Sequence, residues 1–212
     1  MLQIKTIDID YAEYQKKVTV YYNDSVELKA AILYFHGGGL LYGTREDLPE
    51  LHINTITNAG YAILSYDYPL APVSTLEVIH KDVCDSVHNY LTHAEFYVGS
   101  KLPYFLWGRS AGAYLCLLAA AKGDFFVNPH GIISYYGYGF LCDNWFKTPS
   151  AYYKKFPAVP SSCMHNIEAK IETEGPMDTH YMRYVYARQS GNWKDLIFTD
   201  RETVDKVEKM KV

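Results

Sequence analysis

The chain has 212 residues, of which 49% are hydrophobic and 21% are charged, and its 20 Lys and Arg against 24 Asp and Glu give a formal net charge of −4. This length fits one domain with a sizeable apolar core, and the composition excludes a disordered or fibrous chain. The sequence contains no run of basic residues, which argues against sequence-independent binding to nucleic acid or to an anionic membrane. We therefore predict that neither is a partner.

The N-terminus and the cysteines bear on where the protein is located. The first ten residues lack the basic stretch and apolar run of a secretory signal, and the longest apolar stretch, Tyr114–Ala121, is too short to span a bilayer. The cysteines form no CxxC pair and are widely spaced, as is typical of buried thiols in a reducing compartment: Cys84, Cys116, Cys142 and Cys163. These features predict a cytoplasmic protein.

The chain carries strand signals of two kinds. Residues 2–10 and Lys16–Tyr22 alternate apolar with polar side chains, which predicts an antiparallel pair of strands. Four short apolar runs follow, each typical of a strand that is buried on both faces: Ala30–Phe35, Ala62–Tyr66, Tyr104–Trp107 and Gly131–Tyr136. Helix-length segments separate these runs, so the sequence predicts an α/β protein with a mostly parallel sheet covered on both sides.

Two long helices are predicted between these runs. Ser74–His93 places apolar side chains at helical intervals with polar ones between them, which indicates a helix with one buried face. Ala111–Lys122 is apolar nearly all round and is followed by Gly123, a residue that commonly ends helices as a left-handed cap. This second segment is expected to be a buried helix.

The texture of the chain changes after Tyr138. Prolines interrupt short helical stretches such as Ile167–Glu174 and Thr179–Gln189, and no further buried-strand pattern follows. We therefore divide the chain into a core, residues 1–140, and a helical cap-like segment, residues 141–212.

The sequence Gly108-Arg109-Ser110-Ala111-Gly112 matches the G-x-S-x-G pattern of a nucleophile elbow. It lies between a predicted strand and a predicted helix, which is the context that this motif requires. Gly108 allows the sharp turn and Gly112 lets the helix approach the sheet, so the Ser110 hydroxyl is held clear at the top of the sheet. A tight turn with an inert serine is the alternative, and the flanking elements favour the nucleophile.

A second motif, His36-Gly37-Gly38-Gly39, follows another predicted strand. Its glycines leave backbone N–H groups unobstructed, as an oxyanion hole requires. A flexible turn is the alternative, but two motifs in this order, each at a strand end, favour chemistry. A bulky side chain at Gly38 is expected to fill the space beside Ser110 and to leave the fold largely intact.

With these two motifs the sequence resembles the hormone-sensitive-lipase-like branch of the α/β-hydrolases, the HGGG carboxylesterases. Residues 66–72 (YDYPLAP) are similar to the Y-R-L-A-P segment of that family, in the same place between the two motifs. The resemblance implies a three-layer, mostly parallel α/β-hydrolase sheet with a helical cap. It also implies hydrolysis of small or medium acyl esters through an acyl-enzyme, with neither cofactor nor metal.

The same resemblance implies roles for individual residues. Ser110 would be the nucleophile, and three backbone N–H groups would form the oxyanion hole: those of Gly38, Gly39 and Ala111. Arg109 and Tyr42 are candidates for contact with the substrate, and a salt bridge to the cap is the favoured alternative for Arg109. Four further residues would give structural support: His36, Gly37, Gly108 and Gly112.

The sequence departs from the family after Ser110. In this fold an Asp or Glu and then a His complete the catalytic triad on loops that follow further strands, and this chain shows no strand pattern beyond Gly131–Tyr136. His130 leads into that last strand, whereas His165 and His180 lie in the cap-like segment. The last strands of the fold are therefore expected to be absent, and we assign neither a base nor an acid.

Two functions from different classes remain open. The leading interpretation is a serine carboxylesterase-like or lipase-like hydrolase that is crippled by the missing Asp and His. The alternative is a non-catalytic binding or interaction protein of the same fold. We also predict self-association through the edge of Gly131–Tyr136, because that strand has no successor.

One spacing suits a metal ion. His80, Cys84 and His88 fall at i, i+4 and i+8 of a predicted helix, where side chains share a face and could bind zinc. No fourth ligand is evident, and each residue flanks the apolar stripe of that helix. We predict no metal site.

Overall fold

A computed structural model describes residues 1–141, 143–165 and 167–198. It contains six strands: β1 (Leu2–Asp10), β2 (Gln15–Asn23), β3 (Ala30–Phe35), β4 (Tyr61–Tyr66), β5 (Tyr104–Arg109) and β6 (Ile132–Tyr135). They form one sheet in the order β1-β2-β4-β3-β5-β6. β2 pairs antiparallel with β1 and with β4, whereas the pairings among β4, β3, β5 and β6 are parallel. The predicted N-terminal pair and the mostly parallel sheet are thus confirmed.

Helices connect and flank these strands. Five are α-helical: α1 (Glu50–Asn58), α2 (Leu76–Val98), α3 (Ala111–Lys122), α4 (Met177–Ser190) and α5 (Trp193–Ile197). α2 extends beyond the predicted Ser74–His93, and α3 has the bounds that were predicted. α3 ends at Gly123 as predicted, but this C-cap residue is extended, with φ −71° and ψ 140°, and not left-handed.

The sheet is the middle of three layers. In β3, Leu33 and Phe35 pack into a large core on one face, which includes apolar side chains of α2 and α3. Ile32 and Tyr34 point to the opposite face and pack with Ile53 of α1. This alternation follows from the twofold period of a strand, and it explains why all six residues of β3 are apolar and buried.

The C-terminal part of the described chain packs into the same core as the sheet. Phe146, Ala187, Trp193 and Ile197 belong to the large core on the α2 and α3 face. Helix α4 confirms the predicted Thr179–Gln189 stretch. The division into residues 1–140 and 141–212 stays a prediction, and the shared core ties the two parts together.

The predicted helical stretch Ile167–Glu174 is wrong. Residues 172–176, here called the strap, bind backbone groups of the core instead: Leu70 N–H donates to the Glu172 carbonyl (2.8 Å), and Gly43 and Gly175 exchange two hydrogen bonds (2.6 and 2.9 Å). Because these backbone groups are already hydrogen-bonded to residues far away in the chain, they do not form the bonds of a helix.

The last strand differs from its expected environment. Ile132, Ser134 and Tyr135 are exposed, so the expectation that Gly131–Tyr136 is buried on both faces is wrong. β6 is an edge strand of the sheet, and no further strand joins it within the residues that the structure describes.

Cys116 is a buried free thiol, but Cys84 and Cys163 are only half-buried, and Cys142 lies outside the described residues. Burial raises the pKa of the Cys84 thiol to about 11. The cytoplasmic location stays a prediction.

Across the described ranges, no helix combines the length and the hydropathy that a membrane crossing requires.

Candidate active site

Ser110 occupies a sharp turn between β5 and α3. Its backbone has φ 52° and ψ −116°, a conformation that residues other than glycine rarely adopt. A Cβ on Gly108 would lie 2.2 Å from the backbone of Gly112, and a Cβ on Gly112 would lie 2.1 Å from the Phe35 carbonyl oxygen. Only glycine fits these two positions, as the motif requires, and the turn leaves Ser110 half-buried.

The glycine loop after β3 has an unusual backbone. Gly38, Gly39 and Leu40 all have positive φ (110°, 59° and 65°). A Cβ on Gly38 would lie 1.7 Å from the Tyr42 carbonyl oxygen. A valine at Gly38 would therefore distort the loop, so the expectation that it fills space beside Ser110 with the fold left intact is wrong.

Every carbonyl of this loop has a partner. The Gly37 oxygen lies 2.7 Å from His36 Nδ1, and the Gly38 oxygen accepts from the N–H groups of Leu41 and Tyr42. The two remaining carbonyls accept from Trp193 Nε1 (2.8 Å, to Gly39) and Ala71 N–H (2.8 Å, to Leu40).

The N–H groups of the same loop have no acceptor among the described residues. No hydrogen bond from the N–H of Gly38, Gly39 or Leu40 is found within the described part of the chain. Ala111 is the first residue of α3, where N–H groups have no partner inside the helix. Carbonyls that are fixed and donors that are free are what a developing oxyanion would require.

His36 is placed to support the loop. It is buried, its ring stacks on Tyr68 with centroids 4.1 Å apart, and Tyr68 donates from its hydroxyl to the His36 carbonyl (2.9 Å). Burial lowers the pKa of His36 below its usual value, which favours the neutral ring. Nδ1 of His36 lies 2.7 Å from the Gly37 carbonyl oxygen, and the supporting role expected for His36 stays a prediction.

Ser110 and the three glycines line one open pocket of about 710 Å³. Aromatic and thioether side chains form part of its wall: Tyr42, Tyr136, Tyr153, Tyr184 and Met177. Charged residues line the rest: Arg45, Glu46, Asp47, Arg109 and Glu174. The pocket therefore offers aromatic surface together with paired charges of both signs.

Arg109, beside Ser110, bonds to the core and to the end of β6. Its Nε donates to the Tyr136 hydroxyl (2.8 Å), its Nη1 donates to the Asp47 carbonyl (3.2 Å), and the Asp47 carboxylate lies 3.7 Å from Nη1. Asp47 belongs to the loop after β3, so the expected salt bridge from Arg109 to the cap is wrong. Tyr42 lies in the pocket wall with its ring against Tyr181 and Tyr184.

A buried ionic cluster behind the pocket was not anticipated from the sequence. Arg45 donates from its backbone N–H and its Nη1 to the two oxygens of Asp67 (2.8 and 2.6 Å), and Nη1 also contacts Glu174 of the strap. Burial raises the pKa of Asp67 to about 7, although Arg45 opposes this. The signal that could have revealed the cluster is Asp67 itself, a charge within the otherwise uncharged YDYPLAP segment.

No histidine of the described residues hydrogen-bonds Ser110. His180 contacts Glu172 (3.2 Å) and Thr179, while His165 is exposed. The structure thus brings Ser110 and the glycine loop together without a base.

The three side chains of the zinc-like spacing do not converge on one point. His80 and Cys84 approach to 3.5 Å, but His88 turns to the Asp124 carbonyl (2.9 Å). No group of three or more potential ligands occurs among the residues that the structure covers.

The chain is similar in fold to one solved structure and in sequence to two curated proteins described here. An α/beta hydrolase superfamily protein from Enterococcus faecalis is 25% identical, with a TM-score of 0.79 over 98% of this chain and 73% of its own. Lipase 2 of Moraxella sp. strain TA144 is 33% identical over 95 residues, which are 44% of this chain and 22% of the lipase. A non-reducing polyketide synthase, adrD of Penicillium roqueforti, is 28% identical over an alignment of 205 positions, gaps included, that covers 81% of this chain.

The chain spans only 8% of that synthase and 22% of the lipase, so these curated relatives are far longer. The family model for the α/β-hydrolase fold, Abhydrolase_3, matches residues 32–197, from β3 to the end of α5. On the strength of that match, the chain belongs to the α/β-hydrolase fold family, in its Abhydrolase_3 group.

Proposed function

We propose that the chain hydrolyses small or medium acyl esters through an acyl-enzyme on Ser110. The observation that carries this proposal is the strained Ser110 turn, which shares one pocket with a glycine loop whose N–H groups are free. The local match to a lipase supports ester substrates.

In the proposed reaction, Ser110 Oγ attacks the ester carbonyl carbon and the carbonyl electron pair moves to oxygen. The N–H groups of Gly38, Gly39 and Ala111 stabilise that oxyanion. Collapse of the intermediate expels the alcohol, which takes up a proton, and water then releases the acid from Ser110. Tyr42 and Arg109, both in the pocket wall, are proposed to contact the substrate.

The weak point of this reaction is proton transfer. Oγ must lose its proton during attack, and in the described residues neither a histidine nor a carboxylate is bonded to it. We therefore propose that this 212-residue chain is a crippled hydrolase, because loss of the base or nucleophile of such a site lowers turnover by about a million-fold.

A fluorophosphonate probe and a p-nitrophenyl ester test the proposal together. We expect slow covalent labelling of Ser110, located by mass spectrometry, and very slow ester hydrolysis. Ser110→Ala should abolish both, whereas Ser100→Ala, an exposed serine after α2, should change neither. Hydrolysis at ordinary esterase rates that requires Ser110 would show that an unassigned base reaches it.

A non-catalytic binding protein is the alternative, and the missing base favours it. It predicts that the probe leaves Ser110 unmodified, while a small ester analogue still binds the pocket and protects Tyr42 from chemical modification. Labelling that requires Ser110 would exclude it.

A further inference from the structure

The Gly39 carbonyl is held by a side chain from the other end of the chain. Trp193 begins α5, and its indole Nε1–H donates to the Gly39 oxygen at 2.8 Å, across 154 residues. The other carbonyls of the loop are bonded by groups within residues 36–71. Among the described residues of the cap-like segment, Trp193 is thus the single one that hydrogen-bonds a carbonyl of residues 37–40.

Trp193 is itself firmly placed. It is 2% exposed, its ring stacks on Phe146 with centroids 5.0 Å apart, and Tyr138 meets it edge-on at 6.2 Å. The indole therefore has little freedom to follow a moving acceptor, so it can impose a position on Gly39.

Gly39 needs such a restraint. With φ 59° and no side chain, it can rotate its flanking peptides at low cost, and Leu40 beside it is strained at φ 65°. The Gly39 carbonyl and its own N–H are joined through only two rotatable bonds. The Gly39 carbonyl and the Leu40 N–H belong to one planar peptide, so fixing the carbonyl also fixes the direction of the Leu40 N–H. The Gly39 N–H belongs to the preceding peptide, whose Gly38 carbonyl accepts from Leu41 and Tyr42, so Gly39 is restrained through both of its peptides.

Tyr184, on α4 of the cap-like segment, packs against Gly39 as well. A Cβ on Gly39 would lie 2.2 Å from the ring of Tyr184 on α4, so this ring sits directly against the glycine. Tyr184 packs in turn near Tyr42 and Tyr153. Packing from Tyr184 and a hydrogen bond from Trp193 therefore both restrain Gly39.

We propose that Trp193 is a positioning residue for the oxyanion hole, acting through its hydrogen bond to the Gly39 carbonyl. This inference rests on the proposed function of Ser110 and the glycine loop. It deepens that function by assigning α5 a task in the chemistry: Trp193 holds the peptide that follows Gly39, and with it the backbone of the glycine loop, in place before substrate arrives.

Two replacements remove the donor and keep an aromatic side chain, and the second of them also keeps the bicyclic shape. Trp193→Phe loses the indole N–H, and site-specific replacement of Trp193 by 3-benzothienylalanine exchanges only that N–H for sulfur. We expect kcat for p-nitrophenyl ester hydrolysis to fall by about 10- to 100-fold with KM little changed, less than the 10²–10³ caused by deleting an oxyanion donor. The phosphonate labelling rate should fall in parallel.

Trp145→Phe is the matched control. Trp145 belongs to the same aromatic cluster, with its ring parallel to that of Trp193 at 6.4 Å, but makes no hydrogen bond to the loop within the described residues. It should leave kcat unchanged. If the sulfur variant is folded and has wild-type kcat and labelling rate, the proposal is overturned and Trp193 is a packing residue only.

Amide NMR spectra decide the matter if the wild-type chain shows no turnover that requires Ser110. That outcome would refute the proposed function, whereas the restraint itself is still measurable. We expect the Gly39 and Leu40 amide resonances to shift or broaden in the sulfur variant and not in Trp145→Phe. Unchanged resonances would overturn the role of Trp193 independently of activity.

Discussion

At the scale of single residues, the backbone around Ser110 is strained in conformation and is held in place by hydrogen bonds. Four neighbouring positions have positive φ, two of them without the freedom of glycine: Gly38, Gly39, Leu40 and Ser110. Conformations of this kind cost on the order of 1–3 kcal/mol each for residues other than glycine, and they persist only where surrounding contacts over-determine them. The bonded carbonyls of the loop, and the Ser110 N–H that donates to the Tyr135 carbonyl at 2.8 Å, provide those contacts.

Asp67 gives a pH dependence whose sign can be stated. Burial raises its pKa from 3.8 to about 7, so between these values the folded chain holds a proton that the unfolded chain has lost. The free energy of unfolding contributed by Asp67 should therefore decrease as the pH rises from about 4 to about 7. Asp67→Asn should remove this contribution.

Urea unfolding of both proteins across this pH range measures the effect. The stability of the wild type relative to Asp67→Asn should decline steadily towards neutral pH. Asp85→Asn, at a partly exposed carboxylate of α2, should follow the wild type. A difference that stays flat or grows with pH would mean that Arg45 keeps Asp67 ionised throughout.

At the scale of elements, a buried ion pair joins β2 to α2. Lys16 Nζ lies 2.6 Å from Asp82 Oδ2 with both side chains fully buried, and Tyr14 donates to the other Asp82 oxygen at 2.7 Å. Asp82→Ala should destabilise the protein by about 3–5 kcal/mol, because it leaves the Lys16 charge buried without a partner. Thermal and urea unfolding measure this loss.

Two further variants separate the effect of the buried ion pair from the effect of side-chain packing. Lys16→Met combined with Asp82→Leu should recover much of the stability, since an apolar pair avoids burying charge. The pair Lys81–Asp85 lies one turn away on the surface, so Asp85→Ala should cost no more than about 1 kcal/mol. Equal losses for Asp82→Ala and Asp85→Ala would contradict the argument.

The elements that could be predicted from the sequence are those whose formation depends on residues close together in the chain. The apolar runs of β3, β4 and β5 and the stripe of α2 carry their periodicity in the sequence, and the elbow and glycine loop are defined by neighbouring residues. The strap and the Arg109 partner were predicted wrongly because their bonds join residues far apart in the chain. The contact of Trp193 with Gly39 has no local sequence signal at all.

At the scale of the whole molecule, the two edge strands of the sheet differ in polarity, and within the described residues no further strand pairs with β6. β1, at one side, carries charged and polar residues along its length, whereas β6, at the other side, is an exposed and mostly apolar strand. The carbonyls of Gly131 and Tyr135 bond to β5, so the intervening Ile132 and Ser134 present their backbone groups outward. Such an edge, without charge or proline, is a template for pairing with another chain.

We therefore predict that the 212-residue chain self-associates through β6. Size exclusion with light scattering should detect dimers or larger species, and hydrogen exchange should find the amides of Ile132 and Ser134 protected only in them. Ile132→Lys places a charge on the edge and should give monomers, because a lysine there resists strand pairing. Val127→Lys, an exposed position before the strand, should associate like the wild type. A monodisperse wild-type monomer whose Ile132 and Ser134 amides are already protected would contradict the prediction, and would mean that residues of the same chain cover this edge.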